Sequence, residues 1–500
     1  MDPGGSMKNP VTFSQRLLRR KPINFLVQET QQGGKTLKRS LTLFQLTMFG
    51  VGATIGTGIF FVLSEQVPVA GPAVLISFIL AGITAGLTAL CYAELSSMIP
   101  ASGSSYSYAY ATLGEGVAFL VAACLILEYG VSAAAVAIGW SEYLNNLIHN
   151  VFGVHLPNWL LSAPFVADGY KLHLGGTGLI NLPAAILVFL CCMLLMRGVT
   201  ESARINAVMV LIKLCVLILF ISIAATAFNA EHLTPFSPHG FAGISAAAGS
   251  IFFTFIGLDA VSTAGEEVEN PRRNLPLAII SALFVVIIFY ILVALTALGA
   301  QEQGLFKGQQ AGLAVILQEI TGSTWPAIIL AAGAVISVFS ITLVVLYGQT
   351  RILFAMSRDG LAPKIFHRVS TQTLTPNANT LIVAVIVSII AGFVPADVLW
   401  DLTSMGTLIA FTVVSIGVLV LRYRMPDAPR GFKVPFFPAL PVLSICACLY
   451  LISSLSAIVY VIAAIWAVIA ATYYFSCASK NSVLEAGSEA YSHQNGDDHQ

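Results

Sequence analysis

Charge is what this sequence has least of. Asp, Glu, Lys and Arg together supply 10% of the 500 residues, where soluble domains carry about 25%, and that scarcity excludes a string of soluble domains. Neither sign is in excess: Lys+Arg and Asp+Glu are both 24, so nothing points to nucleic acid as a partner. Paired cysteine spacings are absent too. Cys91, Cys124, Cys191, Cys192, Cys215, Cys446 and Cys448 fall in apolar stretches without a CxxC, which makes them small apolar fillers rather than zinc or redox ligands. Residues 1–40 are polar and hold no short apolar run before a small-residue cleavage site, so no secretory signal is expected. Catalytic signatures are also missing. Gly33-Gly34-Lys35-Thr36 resembles the end of a phosphate loop but has Glu29 where the first glycine belongs, and Gly50-x-Gly52 has Ile55 in place of the third glycine of a dinucleotide fingerprint. His149, His155 and His173 share one loop region with no close ligand pair. The expectation is a chain that is not an enzyme and needs neither cofactor nor metal.

What is abundant is apolar sequence. Hydrophobic residues make up 57% and the mean hydropathy is +0.85. A spanning helix needs about 20 apolar residues, and twelve segments are predicted, at 43–66, 72–98, 117–147, 181–197, 204–228, 243–265, 276–300, 327–357, 378–395, 398–421, 438–456 and 458–476. These long runs do not alternate as the strands of a membrane barrel do. The expected fold is therefore an all-α integral membrane bundle of 12 transmembrane helices, surrounded by lipid. Basic residues orient it: with the N-terminus inside, 21 of the 24 Lys and Arg fall on the inner side, Lys171 and Lys307 on the outer, and Lys213 within the membrane. This predicts a multi-pass protein of the plasma (inner) membrane with both termini cytoplasmic. Residues 1–40 are then a leader, and the polar tail 477–500 is expected to be disordered.

Two places oppose a regular helix at membrane depth. Gly50-Val51-Gly52-Ala53-Thr54-Ile55-Gly56-Thr57-Gly58 has four glycines in nine residues inside segment 1, against both helix propensity and backbone entropy. Backbone unwound in lipid is tolerated only where it is buried in protein or lines a cavity; the bland alternative is close helix packing, as at Gly82 and Gly86 of segment 2. The second place is Phe253-Thr254-Phe255-Ile256-Gly257-Leu258-Asp259 in segment 6, a weak signal alone. Its position five segments after the first matters, because paired interruptions in two five-helix halves point to an inverted-repeat transporter with its site at the midplane.

Five stretches carry a resemblance: Gly50 to Phe60, Cys91 to Tyr106, Leu127 to Gly130, Ile256 to Pro271 and Tyr347 to Gly360. With them the chain resembles the amino acid–polyamine–organocation (APC) permeases, and more closely bacterial relatives of their cationic amino acid transporter branch. The resemblance implies the leucine-transporter fold: inverted repeats at 41–228 and 243–421, helices 1 and 6 unwound, and two further helices at 438–476. It also implies movement of amino acids by alternating access.

The residues suit that chemistry. A second half of segment 1 starting near Gly56-Thr57-Gly58, after an opening at Thr54 and Ile55, offers free N–H groups and a positive dipole end to a carboxylate. A break at Gly257 frees the carbonyls of Phe253, Thr254 and Ile256 for an ammonium, with no reason in the sequence to prefer Phe253 or Thr254. The resemblance puts these roles on the same residues, with Phe255 beside the site. Three ionisable groups lie deep in the apolar segments, Glu128, Lys213 and Asp259, and each is a functional candidate because burial is costly. Lys213 follows Asn206 and Ser202 at near-helical spacing, and in related proton-coupled permeases a lysine here occupies the place of a transported sodium. That implies proton coupling through Lys213, Glu128 and Asp259; the alternative is a structural ion pair of Lys213 with Glu128 or Asp259. The wall of segment 8, Ile341 to Leu346 with Val345, holds no acid, and Glu128 and Asp259 are expected to balance Lys213 and the substrate amine. The expected cargo is therefore a small neutral L-amino acid such as alanine. Exchange without proton coupling, a cationic substrate, and a non-transporting amino acid sensor remain as alternatives.

Overall fold

A computed structural model of the chain describes residues 17–23, 41–100, 103–168, 171–196, 203–265, 268–309, 311–368, 370 and 376–484. The side chains of Thr57 and Asn206, all of Ser202, and the stretch 33–36 lie outside what is described. Helix α1 (Leu43–Thr54) starts on a capping box: the Thr42 hydroxyl accepts from the Gln45 N–H at 3.4 Å, and the Gln45 side chain accepts from the Thr42 N–H at 3.1 Å. It stops at Thr54, and α2 (Thr57–Ala70) restarts after two extended residues, Ile55 and Gly56. Then follow α3 (Val74–Met98), α4 (Ser104–Thr112), α5 (Glu115–Phe152), the hairpin β1 (Phe165–Asp168) with β2 (Lys171–Leu174), α6 (Leu182–Met196) and α7 (Ala203–Thr226). The second half begins with α8 (Gly240–Ile251), a 3-10 turn at Phe252–Phe255, and α9 (Leu258–Thr263). Helices α10 (Pro271–Ala300), α11 (Gly312–Thr321), α12 (Trp325–Arg358), α13 (Asn377–Phe393) and α14 (Ala396–Arg424) come next. Helices α15 (Ala439–Ser453) and α16 (Ala457–Tyr473) end the bundle, and α16 runs on through a π-helical turn.

By length and composition, eight helical stretches among the described residues can cross a membrane, and one of them, Leu43–Met98, contains two of the predicted segments. Three shorter apolar helices, α6, α13 and α15, coincide with three more. The chain is an all-α membrane protein apart from its small hairpin. That hairpin, paired antiparallel with Phe165 opposite Leu174 and Asp168 opposite Lys171, was not predicted, nor were α4 and α11. His149, at the end of α5, and His155 stack ring on ring at 3.7 Å.

The packing joins the two halves element by element. Helix α1 lies against α9, α3 against α10, α5 against α12 and α6 against α13, while α14 covers α5. Helix α7 reaches α1, α10 and α12 at once, which brings Lys213 to the first interruption.

Residues near the two ends of the chain meet. Glu115, fully buried at the start of α5, takes a two-pronged contact from Arg19 at 2.8 and 2.7 Å and hydroxyl donors from Tyr110, Tyr474 and Ser482. Arg19 also donates to the Ser479 carbonyl, and Lys21 reaches Asp359 at 3.4 Å beside Tyr106. Where disorder is expected from residue 477, a π-helical turn and the short helix Ser479–Asn481 carry on from α16, Ser482 is extended, and the Ser479 carbonyl and Ser482 hydroxyl join this cluster while the Val483 N–H donates to the Asp359 carbonyl. Residues 485–500 and most of 1–40 lie outside the described residues. Removing one partner of a buried ion pair costs on the order of 3 kcal/mol. Arg19→Ala is expected to lower the melting temperature of the detergent-solubilised protein, with partial recovery in Arg19→Ala/Glu115→Gln; an unchanged melting curve for the single variant contradicts the clasp.

Candidate functional site

The two interruptions cross. Gly58, in the first turn of α2, lies so close to Thr254 that an added Cβ would stand 2.8 Å from its Cγ2. Gly257 has φ +107°, and a Cβ there would come within 2.5 Å of the Ala53 carbonyl oxygen. Only glycine meets both demands, a left-handed backbone and near contact with α1. Tyr290 of α10 ties the crossing together: its hydroxyl lies 2.9 Å from the Thr54 carbonyl and 2.7 Å from the Thr254 carbonyl. A hydroxyl has one proton to donate, so the two carbonyls share it. The Phe253 carbonyl accepts from the Ile256 N–H at 3.2 Å. Two of the carbonyls expected for an ammonium are thus already engaged by the protein. Helix α1 stays helical through Gly50 and Gly52, and Gly50 has the close-packing role, making room for Val261 and Ala282.

A cavity of about 40 Å³ lies at the crossing, enough for roughly three water molecules by the usual requirement of 10–15 Å³ each. Thr54, Gly56, Gly58, Phe253, Thr254, Ile256 and Gly257 line it from the interruptions, and Ile341, Val344 and Val345 line it from α12. Glu128, Tyr129 and Ser132 of α5 and Asp259 of α9 complete the wall. The N-terminus of α2 has no side-chain cap, which leaves its first N–H groups for an anion. The lining continues through Phe49, Ala260, Thr263 and Tyr347. Above Phe253, Trp400 of α14 stacks at 6.1 Å and meets Phe61 edge-on at 4.4 Å, so three aromatic rings close that end.

Phe255 was expected beside the site. It is instead turned away from the cavity: fully buried, it packs edge-on against Tyr290 at 5.3 Å and near Gly82 of α3. Within the 3-10 turn Phe253 takes the cavity side. The Ile55 side chain is buried in the core, and the residue contributes its carbonyl.

Lys213 is 1% exposed and donates to the carbonyls of Gly52 and Ile55, both at 3.0 Å. These are the carbonyls that the end of α1 releases, at the negative end of its dipole. Asp259, expected with Glu128 to balance Lys213, accepts at Oδ2 from the Tyr129 hydroxyl at 2.6 Å. The break in α1 supplies oxygen ligands that a search for opposite charges overlooks. Tyr129, Tyr290 and Trp400 were not singled out from the sequence; the one signal for Tyr290 was a phenol alone in an apolar segment.

A family model described as "Amino acid permease" matches residues 41–480. The chain belongs to the amino acid permease family. The permease is 42% identical over 470 residues to a methylthioribose transporter of Bacillus subtilis, covering 94% of this chain and 99% of the relative. It is 41% identical over 468 residues to a branched-chain amino acid permease of the same organism, with the same shares covered. To a vacuolar cationic amino acid transporter of Arabidopsis thaliana it is 34% identical over 419 residues, 82% of this chain and 68% of the relative. The permease is a transporter and not an enzyme.

If Tyr290 holds the crossing, Tyr290→Phe removes the one donor that two buried carbonyls share, at about 1–3 kcal/mol in all. The expected result is a rise in the dissociation constant for L-amino acids of about tenfold or more, read by isothermal titration in detergent. Binding at wild-type strength removes Tyr290 from the site's support.

Proposed function

We propose that this permease is a proton-coupled symporter that imports small neutral L-amino acids such as alanine by alternating access. The observation that carries the reading is the crossing itself: an uncapped helix N-terminus and a pair of carboxyl side chains face one small cavity. An α-amino acid carries a carboxylate and an ammonium on one carbon. The carboxylate suits the N–H groups of α2 at Gly56, Thr57 and Gly58. With the Thr254 and Phe253 carbonyls engaged, the Ile256 carbonyl and the carboxyl groups are the remaining partners for the ammonium. The α12 wall at Ile341, Val344 and Val345 is apolar and favours a short aliphatic side chain. The branched-chain permease among the relatives supports a neutral apolar cargo.

The contacts of α1 with α9, α3 with α10, α5 with α12 and α6 with α13 support two inverted repeats, 41–228 and 243–421, in the leucine-transporter arrangement of 12 transmembrane helices with helices 1 and 6 unwound. The basic residues favour the plasma (inner) membrane orientation with both termini cytoplasmic. Coupling is assigned to Lys213, Glu128 and Asp259. A proton on Lys213 neutralises the negative end of α1, so its loss loosens the first interruption. Adjacent carboxyl groups such as Glu128 and Asp259 reduce their repulsion by sharing a proton.

Reconstitution into proteoliposomes tests this. Labelled alanine is expected to accumulate under an imposed proton gradient without sodium, and Lys213→Ala is expected to abolish accumulation. Sodium dependence, or full gradient-driven uptake by the variant, overturns the coupling. Counterflow without any response to the gradient means an exchanger, and no flux in either mode means a sensor. A competition panel decides the cargo: alanine is expected to compete strongly while arginine, lysine and methylthioribose do not. Inhibition by arginine at lower concentration than alanine overturns the neutral assignment, since both carboxyl groups then read a distal charge.

A further inference from the structure

The connection between α14 and α15 is folded around one guanidinium. Arg430 donates to Glu94 of α3 at 3.1 Å and to the carbonyls of Met425, Pro426 and Ala428 at 2.8, 2.9 and 2.9 Å. Arg422 grips the same carboxylate at 2.8 and 2.6 Å, and the Val434 N–H reaches it at 2.7 Å. The segment is held in one shape. Gly431, the residue after Arg430, rests on the start of α10, where an added Cβ would stand 2.1 Å from the Arg272 carbonyl oxygen.

This packing gathers four further cations. Arg272 and Arg273 in the first turn of α10, Arg424 at the end of α14, and Lys433 are exposed, and none of their side chains has an ion pair or hydrogen bond among the described residues. Glu269 and Asp427 are the acids exposed on the same two segments among the described residues, so positive charge prevails. The first turn of α10 holds no acid and its N-cap makes no side-chain bond. Two arginines therefore stand at the positive end of a helix, which is unfavourable until an anion joins them. Aromatic rings flank the cations. Phe436 is 83% exposed at φ +50°, a conformation that a bulky residue rarely takes. Its carbonyl accepts from the Leu440 N–H at 3.2 Å, which places it one turn before Val442 and Leu443, exposed on the apolar surface of α15. Tyr423 is 71% exposed, and its ring lies 5.6 Å from that of Phe437. Aromatic rings at the end of a spanning helix suit the level of the lipid headgroups.

We propose that the phosphodiester of an anionic phospholipid in the adjoining leaflet docks among Arg272, Arg273, Arg424 and Lys433, with Phe436 and Tyr423 at the boundary between headgroups and acyl chains. Arginine and lysine supply the donors that a phosphate oxygen accepts, and the clasp at Glu94 fixes their spacing before the lipid arrives. A free phosphate would use the cations but not the rings. The site lies apart from the substrate cavity, so the inference does not depend on which cargo is carried.

The test uses the full-length protein in a nonionic detergent, with short-chain lipids counted by native mass spectrometry. Dioctanoyl phosphatidylglycerol is expected to bind at least about tenfold more tightly than dioctanoyl phosphatidylcholine, with the preference shrinking as salt rises. Arg272→Gln/Lys433→Gln is expected to reduce that preference about tenfold, and Phe436→Ser to weaken both lipids while leaving their ratio unchanged. Arg424→Gln/Lys433→Gln repeats the charge test without touching α10, and lipid-free melting temperatures close to that of the unsubstituted protein show that each variant is folded. Equal binding of the two lipids by the unsubstituted protein, or no binding of either, overturns the proposal. So does a preference undiminished in both charge variants, which places the lipid elsewhere. Glycerol 3-phosphate binding as tightly as the phosphatidylglycerol identifies a free-phosphate site and overturns the assignment to lipid.

Discussion

The ammonium of Lys213 on the open end of α1 is the contact from which the rest of the site follows. Two carbonyls released by a helix that stops inside an apolar bundle have no water to turn to, and a buried lysine has no solvent for its charge. Each removes the other's cost. With the end of α1 held at Gly52 and Ile55, α2 starts two residues later with its N–H groups aimed into the protein. The second interruption then fits against the first only through Gly58 and Gly257, where a methyl group would collide. The site is thus built from backbone that a regular helix would have satisfied internally.

In the proposed reading, what recognises the α-carbon is separate from what recognises the side chain. The groups suited to carboxylate and ammonium lie on the interruptions, whereas the apolar wall comes from α12, a regular helix that meets the first interruption where Ile341 packs against Gly56. Relatives named for methylthioribose, branched-chain and cationic substrates are 42%, 41% and 34% identical to this chain over the aligned residues. One scaffold with a replaceable wall is consistent with such breadth.

Much of the architecture was legible because charge is so scarce that segment ends stand out, and because four glycines in nine residues have few uses in a spanning helix. The short pieces were less visible: α4, α11 and the hairpin are too brief for periodicity to register. Aromatic residues were the other gap. Tyr290 and Trp400 read as apolar bulk in sequence, and alternation between Phe253 and Phe255 could not be resolved while the backbone there was taken as opened helix rather than 3-10 turn. The carbonyls beneath Lys213 were overlooked for a different reason. A sequence displays the carboxylates that could balance a cation but not the carbonyls that a chain break will release.

The meeting of Arg19 with Glu115, Ser479 and Ser482 has a consequence for how the protein is made. Glu115 enters the growing bundle hundreds of residues before Tyr474 and Ser482 exist, so its carboxylate must wait with an incomplete set of donors while the later helices are synthesised and inserted. The final turn of the last helix then acts as a closing stitch between the earliest and latest parts of the chain. Synthesis interrupted at α14 leaves that acidic group short of two of its hydroxyls, a defect by which a quality-control protease could tell an unfinished chain from a finished one.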